Sequence, residues 1–438
     1  MLTPRTWGLL WLSLLGCSWS LAQSTLSLDQ TLVAALEHNY DIKIARNNIA
    51  IAETNATIGA AGFLPTVDIA GGYTFSSSDV RTTFSGNIPN QDITGAVAHN
   101  YNASANLRYT LLDGLRPVYA LRQAKLQVSI QGTRYQQAAE ATLFQVIQAY
   151  YNMALLQEDY RIAQEKLGFT KRQLDRVNTQ RKYGQGSEVE RLNLLTTYNN
   201  DSTQLLRLEL QLAQRARQLN RAIGKEFVPV DATLNADLAL DLSLNYEALL
   251  DAAYKNNPAI QIAQKNVDNA ALDLQIIKTE LYPKLNTTIS YGYNGSNNQA
   301  GIVESNASIG PSINLGLQYN LYAAGAVKRA RQQSQLTIKN QELSLASARY
   351  DVEQQLLDAY TVHETNLALI PIEQSNAAIS QTNFERITTA FQLGQTSLLQ
   401  YQQAELQYIQ AQQRGVAAQF QAKLSEWQLR QLAGLLVE

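Results

Sequence analysis

The sequence carries one outline twice. LSLDQTLVAALEHNYDIKIARNNIAIAETNATIGAAGFLPTVDIAGGYTFS near the start aligns with LSLNYEALLDAAYKNNPAIQIAQKNVDNAALDLQIIKTELYPKLNTTISYGYN in the middle. After a two-residue gap, Asn39, Ala45, Asn48, Ala52, Pro65 and Tyr73 meet Asn257, Ala263, Asn266, Ala270, Pro283 and Tyr291, each 218 positions on. Further along the offset is 210, joining Tyr109 to Tyr319, Tyr150 to Tyr360, Arg176 to Arg386, Gly184 to Gly394, Ser187 to Ser397 and Gly224 to Gly434. Glycines, prolines and tyrosines match along with the helix formers, which chance likeness between Ala/Gln/Leu-rich helices would not produce. A chain built of two such units folds as an internal tandem repeat. The division expected is a first repeat over 23–224, a connector over 225–241 and a second repeat over 242–438.

Within each copy the order reads helix, helix, strand, loop, strand, very long helix, turn, long helix. Residues 29–39 and 245–256 make short helices. Residues 41–62 and 258–281 make longer ones that stop before Pro65 and Pro283, because the residue before a proline resists the α region. The periodicity then changes to two. Val67, Ile69, Tyr73 and Phe75 alternate with small or polar residues, and so do the stretches about 103–111, 285–293 and 312–321. Four strands are expected, about 66–75, 103–111, 285–293 and 312–321, each with one apolar and one polar face. The polar stretches between them, 76–101 and 294–311, read as loops.

About nine residues with an apolar face and terminal tyrosines is the pattern of a transmembrane barrel strand. A soluble antiparallel sheet with one wet face alternates in the same way. The N-terminus decides between them. Residues 1–22 form an export signal in which Arg5 precedes the apolar run Trp7–Leu15 and the small-residue motif Ser20-Leu21-Ala22. Two processings fit: cleavage after Ala22, which is preferred, and lipid attachment at the only cysteine, Cys17, within Leu14-Leu15-Gly16-Cys17. No later segment reaches the roughly 18 apolar residues of a membrane helix. With an export signal and Tyr73, Phe75, Tyr109, Tyr291, Tyr293 and Tyr319 placed for an interfacial girdle, the strands are expected in the outer membrane of a Gram-negative bacterium, against lipid.

Four strands cannot close by themselves in lipid, where every unpaired backbone group at an open edge costs several kcal/mol. Two chains would give eight strands, whose interior side chains fill; three give twelve and leave a polar lumen. The expectation is a homotrimer with Asp68, Thr74, Ser104, Asn106, Arg108, Asn286, Ser290, Asn314 and Gln318 facing that lumen.

After each strand pair the helical pattern resumes at length, as hairpins over 118–223 and 326–433. Residues 118–182 hold no proline. Apolar positions at Leu143, Ile147, Tyr150, Ala154, Leu356, Leu357 and Tyr360 fit helix packed on helix. Each long helix ends in a matching turn, from Arg176 through Tyr183, Gly184 and Ser187, and from Arg386 through Phe391, Gly394 and Ser397. Glycine stops the first helix and serine caps the second, as any helical hairpin requires.

The doubled unit, the Leu-x-Leu start with Asn39 and Asn257, the Pro65 and Pro283 lead-ins, and the paired Tyr/Phe-x-x-Gly-x-x-Ser turns together resemble the TolC-type outer-membrane efflux protein family. The resemblance covers essentially the whole mature chain. It implies a mainly α protein with a membrane β-barrel: a trimer, a twelve-stranded barrel fed by four strands per chain, and long antiparallel helical hairpins forming a periplasmic tunnel. It also implies an entrance at the two turns, where a periplasmic adaptor (membrane fusion) protein docks and couples the duct to an inner-membrane pump. Such ducts serve tripartite efflux and type I secretion. In the family's type member a tyrosine, an arginine and aspartates around the second turn, with an aspartate after the first, hold the entrance shut. This chain carries Phe391, Thr396, Gln400 and Gln403 at the second turn and Glu190 at the first, so only Glu190 keeps the acidic character. The closed state is accordingly expected to use amide hydrogen bonds around Gln400 and Gln403 and a ring of three Glu190.

Other classes are weaker. His38, His99 and His363 are far apart, and His363-Glu364 lacks the second histidine of a zinc-protease helix. No cysteine pair, phosphate loop or nucleophile elbow appears, so no enzyme, cofactor or metal site is expected. With Arg5 removed, 34 basic residues stand against 37 acidic ones, which gives nucleic acid nothing to bind. A periplasmic coiled-coil adaptor is the alternative, since long hairpins serve there too, but it would lack the fourfold strand pattern.

Overall fold

A computed structural model describes residues 26–86, 89–185, 187–300 and 303–436. The expected signal peptide, with Arg5 and Cys17, lies outside the described residues. In chain order the elements are β1 Leu26–Ser27, α1 Leu28–His38, α2 Tyr40–Asn55, β2 Thr66–Thr82, β3 Gln91–Leu112, α3 Arg116–Lys182, α4 Glu188–Ile223, β4 Leu234–Asn235, α5 Tyr246–Asn256, α6 Pro258–Thr279, β5 Lys284–Asn298, β6 Ser305–Gln318, α7 Ala326–Gln392 and α8 Leu398–Leu432. The helices α3 and α7 have 67 residues each, which at about 1.5 Å per residue is roughly 100 Å. Among the described residues no helix is long and apolar enough to cross a membrane.

The chain divides into two compact units. The first comprises residues up to Glu37, Val146–Ala239 and Glu373–Phe420. Its core runs along the helices. Tyr150 and Tyr151 are fully buried with Ile147, Met153 and Ile162, and the ring of Tyr151 meets Phe420 edge-on at 6.2 Å. The minimal parallel pair β1–β4 is pinned to this core: Tyr150 Oη lies 2.7 Å from the Leu26 carbonyl and 2.9 Å from that of Asn235.

The second unit comprises His38–Gln145, Leu240–Ile372 and Gln421 onward. It holds a four-stranded antiparallel sheet in the order β2-β3-β5-β6, so β2 and β6 are its outer margins. Below the strands, α5, α6, α7 and α8 bury Leu249, Ala253, Ile260, Val352, Leu356 and Leu429 together. The repeated asparagines start helices. Asn39 Oδ1 accepts the amides of Asp41 and Ile42, and Asn257 Oδ1 that of Ala259, ahead of Pro258 at the first helical position.

Several boundaries differ from those read off the sequence. The stretches 76–101 and 294–311 are largely strand, because the backbone ladder continues after the apolar alternation stops. Ser76 pairs with Ala98 and Thr82 with Gln91, and Arg81 meets Asp92 at 2.8 Å near the end. The strand β6 stops at Gln318, so Tyr319 and Leu321 lie beyond it; there the chain turns through Ala324 and Gly325, both at positive φ. Helix α2 ends at Asn55 rather than 62, since Gly59 and Gly62 (φ +91°) carry a tight turn in which Phe63 N donates to the Ile58 carbonyl. Leu356 faces the core whereas Leu357 is 44 % exposed, which narrows the apolar stripe of α7 to one edge.

Candidate functional site

The sheet sorts its side chains by parity. Opposite partners in an antiparallel pair share a face. The pairs Asp68↔Asn106 and Ala70↔Ser104, Asn106↔Ser290, Arg108↔Thr288 and Thr110↔Asn286, and Thr288↔Asn314 and Lys284↔Gln318 therefore put Asp68, Ser104, Asn106, Arg108, Asn286, Ser290, Asn314 and Gln318 on one face, with Thr74 in the same parity. They bond across the strands. Arg108 Nη1 donates to Asp68 Oδ1 at 2.6 Å, Asn106 Nδ2 to Asp68 Oδ2 at 3.1 Å, and Thr110 Oγ1 to Asn286 Oδ1 at 3.0 Å. The opposite face carries Val67, Ile69, Tyr73, Phe75, Ile289, Tyr291, Ile313 and Leu317, all exposed; Ile69 is 87 % exposed. A solvated sheet would not present that much aromatic and branched surface, whereas a lipid-facing one would.

In the helical unit, the two hairpin turns are built alike. Gly184 at φ +77° and Gly394 at φ +74° end α3 and α7 in the left-handed region. After them Gln185 N donates to the Gln180 carbonyl at 3.0 Å and Gln395 N to the Ala390 carbonyl at 2.8 Å, closing a Schellman motif in each. The next helix starts differently in the two. Ser397 Oγ accepts the Gln400 amide, and Gln400 Oε1 accepts the Ser397 amide at 3.1 Å, a reciprocal capping box. Ser187 makes no side-chain cap bond, contrary to expectation. There Glu188 ties the turn instead, through Arg181 and Arg191 at 2.7 Å each, and these arginines hold its carboxyl below the usual range. The Gln400 carbonyl is thus engaged inside its own turn, also accepting from Thr396 Oγ1, which leaves only its amide nitrogen for the amide contacts expected of it. Gln403 and Arg386 are exposed and Glu190 half-buried.

The turns are joined by Arg176. Its Nη2 donates to the carbonyls of Phe391 and Gln392 at 3.3 Å each, and its guanidinium lies 4.9 Å from the Phe391 ring. Those carbonyls belong to the last turn of α7, where the helix lacks its own donors and carries partial negative charge. Phe391 in turn packs on Tyr401 at 5.0 Å, and Phe384 lies between Tyr401 and Tyr408 at 5.4 and 5.3 Å. Around the turns, Tyr183, Val189, Leu393 and Leu399 point outward, each at least two-thirds exposed. Sequence reasoning picked out Tyr183 and passed over the other three, whose signal was an apolar residue within five positions of the turn glycine. Among the described residues no group of His, Cys, Asp and Glu converges to hold a metal ion.

Comparison with known proteins agrees with this geometry. The family model described as outer membrane efflux protein matches twice, over 31–225 and 249–435. The chain is similar to the pyoverdine export outer membrane protein OpmQ of Pseudomonas aeruginosa, 25 % identical over 386 residues that cover 86 % of this chain and 77 % of that one. It is also similar to the outer membrane protein TolC of Escherichia coli, 22 % identical over 342 residues, covering 76 % of this chain and 66 % of that one. Its fold is that of the solved outer-membrane channel OprN, with a TM-score of 0.74 at 14 % identity over 93 % of this chain and 89 % of that one. The Campylobacter jejuni CmeC outer membrane channel gives the same TM-score of 0.74 and 14 % identity, covering 93 % of this chain and 85 % of that one. With its sorted sheet, its paired hairpins and a family match over both halves, the chain belongs to the outer membrane efflux protein family and is an outer-membrane efflux duct.

Proposed function

We propose that three copies of this chain assemble into one passage across the outer membrane, passively conducting cargo as the exit duct of a tripartite efflux or type I secretion system. The observation that carries this reading is the open sheet. Its margins β2 and β6 have no further partner strand among the described residues, and one of its faces is apolar and exposed. In lipid such margins are tolerable only when sealed, and three sheets of four strands seal one another while leaving a water-filled interior. The Asp68, Asn106 and Arg108 network then lines the passage together with Asn286, Asn314 and Gln318, and the apolar face meets outer-membrane lipid.

The helical hairpins supply the periplasmic part, and the turns at Gly184 and Gly394 its entrance. Tyr183, Val189, Leu393 and Leu399 give those turns the exposed apolar patches on which a periplasmic adaptor protein docks, so coupling the duct to an inner-membrane pump. Arg176 holds the two turns together, and Glu190 lies in the first turn of the helix that follows Gly184. The purified protein in a planar lipid bilayer tests the reading: it predicts discrete conductance steps, and a protein that stays in plain buffer and conducts nothing contradicts it.

A further inference from the structure

Among the described residues of the helical unit, two carboxylates are buried beside one half-buried ammonium, that of Lys166. Asp201 on α4 and Glu405 on α8 are each 6 % exposed. Asp201 is provided for: Lys166 Nζ of α3 lies 2.6 Å from its Oδ1, and Thr170 Oγ1 donates to its Oδ2 at 2.7 Å. Glu405 has no such provision. Among the described residues its carboxyl forms no hydrogen bond or ion pair, and its helix neighbours Tyr401, Ala404, Tyr408 and Ile409 belong to a buried apolar cluster.

The charged groups that act on it come from two other helices. Lys166 and Arg172 stand on α3 and Asp201 on α4, α7 contributes the uncharged Phe384 ring, and its own helix carries Tyr401. Burial is the largest influence on the Glu405 carboxyl; Lys166 and Arg172 pull it down, Asp201 pushes it up, and the net is a rise to about 7. The repeat shows that helix packing does not ask for this cluster. In the other half, 210 positions away, Glu405 is matched by Leu195, Lys166 by Asn376, Thr170 by Ser380 and Asp201 by Ala411.

We propose that Glu405 is a proton-operated fastener between the two helical hairpins: as the neutral acid it lies buried and keeps α8 packed on α3 and α4, and as the carboxylate it loosens that packing. The sign follows from linkage. A carboxyl raised in the packed state favours packing fully below its ordinary value of 4.5, and the advantage is lost as pH rises through about 7. The fastener therefore works across the near-neutral range. Its effect on flow rests on the duct reading, but the packing it controls does not.

Hydrogen exchange of the α8 amides over 399–412, measured on the full-length protein in detergent and corrected for intrinsic exchange, tests the fastener without any measurement of flow. Protection in the unaltered chain is expected to fall by about tenfold between about pH 6 and about pH 8. Glu405→Gln, which keeps the shape of the neutral acid, is expected to give the same protection at both. Asp201→Asn frees Lys166 to pair with Glu405, lowers its titration below this window and is likewise expected to abolish the change. Equal protection at both pH values in the unaltered chain would overturn the proposal. So would a full pH response retained in either variant.

Discussion

Arg108 reaches across the β2–β3 pair to donate to Asp68 at 2.6 Å, on the same face as Asn106, Asn286 and Asn314. The two side chains are 59 % and 36 % exposed, so solvent screens them and the pair contributes at most about 1 kcal/mol to folding. In the proposed trimer they act as fixed charges in the passage. Asp68→Asn is expected to leave the protein folded while leaving Arg108 uncompensated, which favours anions. The reversal potential in a salt gradient should shift toward anion selectivity, and an unchanged potential would place this face outside the passage.

Arg176 bonds to the carbonyl of Phe391, 215 positions further along the chain. Charged hydrogen bonds of this kind contribute about 1.5–3 kcal/mol each when buried, and this half-buried one less. Arg176→Ala should loosen residues 388–400, read as faster hydrogen exchange there and as a larger open fraction in bilayer recordings. Arg176→Lys should restore little, because a single ammonium cannot serve two carbonyls and lie flat on Phe391 at once.

The two hairpin turns make opposite predictions for matching serines. Ser397→Ala removes a capping box and should cost about 1 kcal/mol, whereas Ser187→Ala, at a serine with no cap bond, should be near neutral by thermal denaturation. Gly394→Ala puts a side chain at φ +74° and should cost about 1–2 kcal/mol.

What the sequence disclosed and what it hid divide along physical lines. The faces of the sheet were legible because side-chain direction alternates strictly, so Asp68 and Asn314 could be placed together from parity alone. The strand ends were not, since backbone pairing continues through Ser77 and Arg81 with no apolar alternation to mark it. Asn39 and Asn257 stood out as a repeated pair, and their task of capping α2 and α6 is local chemistry that a sequence can carry. The contact of Arg176 with Phe391 and the isolation of Glu405 arise only when distant helices meet. Both lay outside any local pattern, although Arg176 and Phe391 had each been singled out.

Tyr150 ties the core of the helical unit to the β1–β4 joint through one shared hydroxyl. Burial, reinforced by the neighbouring Tyr151, pushes that phenol up to about 12, so it remains a donor throughout the physiological range. Tyr150→Phe leaves two carbonyls without that donor and should destabilise the protein by about 1–3 kcal/mol, measurable as a lower midpoint of thermal unfolding.

In the proposed trimer the sheet closes only with sister chains, and the internal repeat suggests the register. If β6 joins the next chain's β2 as β3 joins β5, the pair Ser104↔Gly292 becomes Asn314 opposite Thr74 of the neighbour. Oxidising the Asn314→Cys, Thr74→Cys double variant in membranes should yield a covalent trimer on a denaturing gel, with each single variant remaining monomeric. A double variant that forms no bond between chains, from a protein that is a dissolved monomer without detergent, would contradict the account.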